Sequence, residues 1–224
     1  MIPSLVVMLT HNDVTVANAH DVFDQCSDLP IQHWGFKDVG LEKDEMRKLV
    51  TAMRKAGKST FLEVVSLAEE ECQRGAELAV ECEFDYLMGT VFYDSVFEYL
   101  NTKSIKYFPF CGTVSGHPSV LEGTPEEIVA DAKRLESIGV AGIDLLAYRH
   151  ATRPEEVAMK VVENLGIPVI LAGSIKNFEL IDRMKAIAPW AFTIGSALFE
   201  KRFVEGGDFR HQLLSVMDRL QEET

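Results

Sequence analysis

The chain has 224 residues, 47% of them hydrophobic and 25% charged, with a net charge of −13. That balance is ordinary for a globular domain in water, and a chain this long buries roughly 70% of its unfolded surface without a metal or disulfide staple. The acidic excess speaks against nucleic acid and against an anionic membrane surface, both of which call for a basic face, yet a few local donors can still hold a phosphorylated small molecule.

Taken in chain order, short apolar runs alternate with longer amphipathic ones. Leu5 to Leu9 reads as the first strand and leads into Thr10-His11-Asn12-Asp13; Ile31 to Phe36 reads as the second. Between 42 and 56, Met46, Leu49, Val50 and Met53 recur at i, i+3, i+4 and i+7, which predicts a helix stopped by Gly57. The third strand is Thr60 to Val65, followed by Glu69-Glu70-Glu71, a solvated helix start where the macrodipole favours acids. Tyr86 to Gly89 and Lys106 to Phe110 are the fourth and fifth strands. A long connection from Cys111 to Gly123 then carries three glycines, Pro118 and His117, and reads as a shaped functional loop over one end of the fold. Thr124-Pro125-Glu126-Glu127 has a capping Thr, Pro at the first helical position and Glu at the third, so a helix should run from there to about Ser137 and stop at Gly139. Gly142 to Ala147, Pro168 to Ala172 and Ala191 to Gly195 complete the strands, with helices over Pro154 to Leu165 and Asp208 to Gln221.

Eight strands alternating with helices predict a parallel sheet. Open doubly wound sheets have about five to seven strands, so eight similar units point to a single (β/α)₈ barrel spanning 1–224. The four cysteines, Cys26, Cys72, Cys82 and Cys111, form no C-x-x-C pair, and Met1-Ile2-Pro3-Ser4 is no basic leader, which gives the expectation of a cytoplasmic protein with reduced thiols.

The strongest chemical signal lies near the C-terminus. The seventh strand ends in Ala172-Gly173-Ser174-Ile175 and the eighth in Thr193-Ile194-Gly195-Ser196-Ala197. Glycine lets a backbone N–H approach an anion, serine adds a hydroxyl, and the loops after strands seven and eight are the usual phosphate site of barrels. Ordinary tight turns are the alternative. This pair of segments resembles the phosphate grip of the ribulose-phosphate-binding barrel superfamily, which includes the histidine-biosynthesis isomerase, phosphoribosylanthranilate isomerase and the glycerol-3-phosphate-responsive antiterminator. The resemblance is specific over about 166–200 and architectural elsewhere, and implies a phosphorylated ligand on Gly173, Ser174, Gly195 and Ser196. The acid/base pair that those isomerases carry on their first and fifth strands is not evident here. The segments His33-Trp34-Gly35-Phe36-Lys37-Asp38-Val39-Gly40-Leu41 and Gly116-His117-Pro118-Ser119-Val120-Leu121-Glu122-Gly123 also resemble a bacterial barrel group. Some of its members carry a hydroxythreonine-phosphate dehydrogenase name, but this sequence has neither a nucleotide fingerprint nor a metal-ligand set to match it.

Catalytic side chains of barrels sit at the C-terminal ends of strands. In the second strand His33, Gly35 and Lys37 share one face, so Lys37 should point into the mouth, as a base, an imine-forming nucleophile or a carboxylate's partner. Glu63 stands in an apolar strand, where a carboxylate is costly unless paired, and Lys37 is its natural partner, structural or catalytic. His11 and His117 are further acid/base candidates, and Asp38 either caps a loop or faces the site. Asp13 reads as a cap of the first helix. Arg149, on one face with Leu145 and Ala147, could grip an anion, and Gly112 opens the long loop among the expected ligand-binding residues. His20 and His211 read as helical bystanders. No H-x-x-x-H or H-x-D spacing supports a metal, no cofactor motif occurs, and no G-x-S-x-G elbow supports a hydrolase triad. The expectation is an isomerase or lyase of a phosphorylated small molecule, without cofactor, nucleic acid or membrane partner; the alternative is a non-catalytic phosphometabolite sensor. Barrels often dimerise, which leaves a homodimer open.

Overall fold

A computed structural model of the chain describes residues 2–116 and 118–222. The parallel strands are β1 (Ser4–Met8), β2 (His33–Lys37), β3 (Ser59–Ser66), β4 (Tyr86–Thr90), β5 (Lys106–Phe108), β6 (Ile143–Leu145), β7 (Val169–Leu171) and β8 (Ala191–Ile194). They form one eight-stranded sheet in the order β6-β7-β8-β1-β2-β3-β4-β5. Its two ends meet: the Ala141 amide donates to the Tyr107 carbonyl and the Asp144 amide to the Pro109 carbonyl, each at 3.0 Å, and Phe110 bridges Asp144 in parallel. The sheet is therefore a (β/α)₈ barrel, as the alternation predicts.

The helices are α1 (Ala19–Asp24), α2 (Lys43–Lys55), α3 (Glu69–Glu81), α4 (Asp94–Asn101), α5 (Pro125–Ile138), α6 (Pro154–Asn164), α7 (Phe178–Ile187), the short α8 (Ser196–Phe199) and α9 (Phe209–Gln221). In α2 the predicted stripe of Met46, Leu49, Val50 and Met53 is buried. The start of α5 is a capping box: the Glu127 amide donates to the Thr124 hydroxyl at 3.2 Å, and the Glu127 carboxylate accepts from the Thr124 amide at 2.7 Å. No helix among the described residues is long and apolar enough to cross a membrane.

Inside the barrel, away from the mouth, the rings of His33, Phe61, Tyr86, Phe108 and Trp190 pack together with centroid separations from 4.1 to 6.4 Å. Space for this plug comes from glycine. A Cβ on Gly142 would lie 2.1 Å from the Phe108 ring, and one on Gly35 would lie 2.9 Å from Phe61.

Three segments differ from the sequence reading. The long connection is an antiparallel hairpin, Thr113–Ser115 with Val120–Glu122. A second small hairpin, Thr10–His11 with Val14–Thr15, follows β1; Asp13 sits in its tip with Asn12, and the cap position of α1 belongs to Asn18 instead. The sixth strand ends at Leu145, the last residue with a parallel partner in β7, and Ala147–Arg149 closes into a 3₁₀ turn. Strand alternation therefore does not place Arg149.

Candidate active site

Lys37 and Glu63 are direct neighbours in the β2–β3 register. The lysine is 6% exposed, and its ammonium lies 4.0 Å from the Glu63 carboxylate and donates to Asp13 at 2.7 Å. Asp13 reaches it because both Asn12 and Asp13 adopt left-handed φ at the hairpin tip (52° and 62°), a conformation short polar side chains tolerate. The 3₁₀ turn after β6 delivers Arg149 to the same place: its guanidinium is 3.9 Å from the same Asp13 oxygen and donates to the Ser119 carbonyl of the hairpin after β5 at 3.3 Å. Two cations and two carboxylates thus face one another across the mouth.

The glycine-serine turns arrive from the other side. Gly173 and Ser174 both have left-handed φ (81° and 63°), turning the chain sharply after β7. A Cβ on Gly173 would lie 2.7 Å from Arg149 Nε, so glycine lets the guanidinium close onto this turn. The Ser196 hydroxyl accepts from the Asn12 amide at 3.2 Å and ties the β8 turn to the hairpin after β1. Among the described residues, no hydrogen bond engages the amides of Gly173, Ser174, Gly195 or Ser196. Lys37, Glu63, Arg149, Gly173, Ser174, Gly195 and Ser196 line one cavity of about 300 Å³, together with Asp13, Lys176 and Thr193.

Other sequence candidates lie elsewhere. Gly112 lines a separate cavity of about 450 Å³, and its amide is taken by the Asp131 carboxylate at 2.8 Å. The His11 ring turns toward Glu200, 4.0 Å away, and Phe199, and does not line the mouth cavity. His117 lies outside the described residues. His150 holds the Gly123 carbonyl at 2.9 Å and so pins the hairpin after β5. Asp38 faces the far side of the Lys37–Asp13 pair, in a neighbouring cavity of about 390 Å³, and burial pushes its carboxyl upward. Among the described residues no group of three or more His, Cys, Asp or Glu side chains could hold a metal ion.

Two site residues were missed. Asp13 reads from sequence as a helix cap, because nothing local distinguishes a cap from a hairpin tip. Asp144 on β6 carries the same signal as Glu63, an acid in an apolar strand between Ile143 and Leu145. It is fully buried, and among the described residues neither of its carboxylate oxygens has a partner. Burial first, and then the nearby charge of Glu63, hold its carboxyl well above the usual carboxylate range; Arg149 and Lys37 pull the other way.

No protein-family model matches the sequence, and no curated protein sequence does either. Solved structures do match. Orotidine 5'-phosphate decarboxylase from Pyrococcus horikoshii OT3 superposes with a TM-score of 0.72 at 11% identity, over 98% of this chain and 100% of that one. The shared element is the (β/α)₈ fold. N-acetylmannosamine-6-phosphate 2-epimerase from Clostridium perfringens has it too, with a TM-score of 0.65 at 9% identity over 87% of this chain and 86% of that one. The M276A mutant of FabK from Thermotoga maritima gives 0.61 at 13% identity; 88% of this chain is covered, but it spans only 62% of that structure's length.

Proposed function

We propose that the chain is a cytoplasmic enzyme of isomerase or lyase type in the ribulose-phosphate-binding superfamily, acting on a phosphorylated small molecule at the barrel mouth. The observation that carries the reading is convergence: the two glycine-serine turns and the Lys37–Glu63 pair line the same cavity. Unengaged amides at Gly173, Ser174, Gly195 and Ser196, with the Arg149 guanidinium beside them, suit a phosphate. A ligand anchored there would lay its carbon chain toward β2 and β3. Glu63 would take a proton from a carbon next to a carbonyl, and the Lys37 ammonium would bear on the carbonyl oxygen that gathers the charge. Two of the matching folds, the decarboxylase and the epimerase, are named for phosphorylated substrates, which agrees with this ligand class.

Calorimetry with inorganic phosphate and a panel of sugar phosphates tests the proposal. Binding should weaken at least tenfold in Arg149→Ala, the change that 1.4 kcal/mol carries, and turnover should vanish in Glu63→Gln with binding retained. Borohydride trapping with the same panel decides whether Lys37 forms an imine. Binding without turnover or trapping would make the protein a sensor instead, and no phosphate binding at all would remove the ligand class.

A further inference from the structure

We propose that Asp144 is a positioning residue of this site: a buried carboxyl beneath the cavity, without a partner among the described residues, whose charge sets what Glu63 and an arriving anion meet. The inference rests on the mouth being an anion site, and adds to it a residue and a pH linkage.

Parity gives the direction of the side chain. Gly142 faces the barrel interior, because a Cβ there would strike the Phe108 ring of the aromatic plug. Two residues on, within β6, Asp144 faces the interior as well, one step nearer the mouth. Its amide is spent on the seam, donating to the Pro109 carbonyl, so only the carboxyl is left to act. That carboxyl is fully buried and has no partner among the described residues. A hydrocarbon side chain would suit so dry a position better. A buried acid left without a partner beside a cleft is a candidate functional group.

The groups around it explain what it does. Glu63 on β3, Lys37 on β2, Arg149 in the turn after β6 and the Cys111 thiol in the loop after β5 all sense its charge. With Asp144 neutral, Lys37, Arg149 and Lys176 balance Asp13, Glu63 and Glu200 around the cavity, and an arriving phosphate meets no net repulsion. Ionised, Asp144 would add a negative charge beneath the cavity that repels the ligand and opposes the charge of Glu63, because two nearby carboxylates resist charging together.

The test uses the intact chain, with sulfate as the probe because it keeps its charge throughout. Infrared spectra at neutral pH should show the carbonyl stretch of a protonated carboxylic acid, absent from Asp144→Asn. On titration to alkaline pH that band should disappear. Over the same interval the wild type should lose sulfate affinity by about tenfold, a single unit of proton affinity, and its ¹³C-labelled Glu63 carboxyl resonance should shift; D144N should do neither. An ionised Asp144 at neutral pH overturns the proposal. So does a band that persists throughout, or one whose loss leaves Glu63 and sulfate binding untouched. Should D144N not fold, ¹³C-labelled aspartate in the wild type identifies the band. If sulfate binds neither protein, the anion-site reading has failed, while the infrared band and the Glu63 resonance still decide the role of Asp144.

Discussion

Gly142→Ala tests how the barrel closes. The new methyl would sit 2.1, 2.4 and 2.6 Å from three atoms of the Phe108 ring, where ordinary contact begins near 3.5 Å. The ring cannot swing clear, because Tyr86 holds it edge-on with centroids 5.7 Å apart and Trp190 lies 5.6 Å away. Overpacking of this kind costs about 1–3 kcal/mol, and two hemmed sides put it at the upper end. Replacing glycine returns about 0.5–1 kcal/mol through the unfolded chain. The net loss is about 2 kcal/mol, or roughly 4–8 °C in Tm for a chain of this size. Urea unfolding and calorimetry measure it. In a G142A/F108L double mutant the two costs should be less than additive, since the smaller side chain makes room for the methyl. Unchanged stability in G142A, or strict additivity, would mean that Phe108 and Gly142 do not define the β5–β6 seam.

Lys37→Met leaves Asp13 and Glu63 without their shared cation. Losing one partner of a buried pair costs about 3–5 kcal/mol; with Asp13 34% exposed, about 2–3 kcal/mol is expected, and a K37M/D13N cycle should show coupling in urea unfolding. His33, buried among rings with its Nδ1 unpartnered among the described residues, has its proton affinity lowered below the ordinary 6.5 by burial and by Lys106. Its neutral form is the one that folds, so its contribution is complete above about pH 6.5 and is lost as pH falls through the lower folded value. His33→Phe should flatten that part of the stability–pH curve, and an unchanged curve would discount the effect. All four cysteines are buried and burial raises every thiol, Cys26 to about 11. A thiol reagent should find them nearly inert in the native state and titrate four per chain in denaturant.

Much of the fold was legible because it depends on periodicity. The stripe of α2, the capping box of α5 and eight apolar runs are local patterns, and each fixes its element without knowledge of the rest. Lys37 and Glu63 were legible for a related reason, since alternation along β2 and β3 gives both side chains a direction. What stayed hidden depends on where the chain leaves regular structure. Arg149 reaches the mouth through a 3₁₀ turn, so the alternation that nominated it was the wrong argument for its position. Asp13 changes from cap to lysine partner through two left-handed residues, a choice set by contacts that the sequence does not display. Gly112 and His11 follow strand ends as the mouth residues do, but which way each turns is set by long-range contacts: the Gly112 amide goes to the Asp131 carboxylate, and the His11 ring to Glu200 at the edge of the mouth cavity. Asp144 needed no new principle, only the same suspicion of an acid in an apolar strand.

The ring cluster at the far end of the barrel makes the mouth a blind pouch. Whatever enters must back out along the path by which it came. Arrival and departure therefore cross one barrier, and a substitution that meets the ligand only in transit, never once it is bound, changes both rates by a common factor while leaving the dissociation constant where it was.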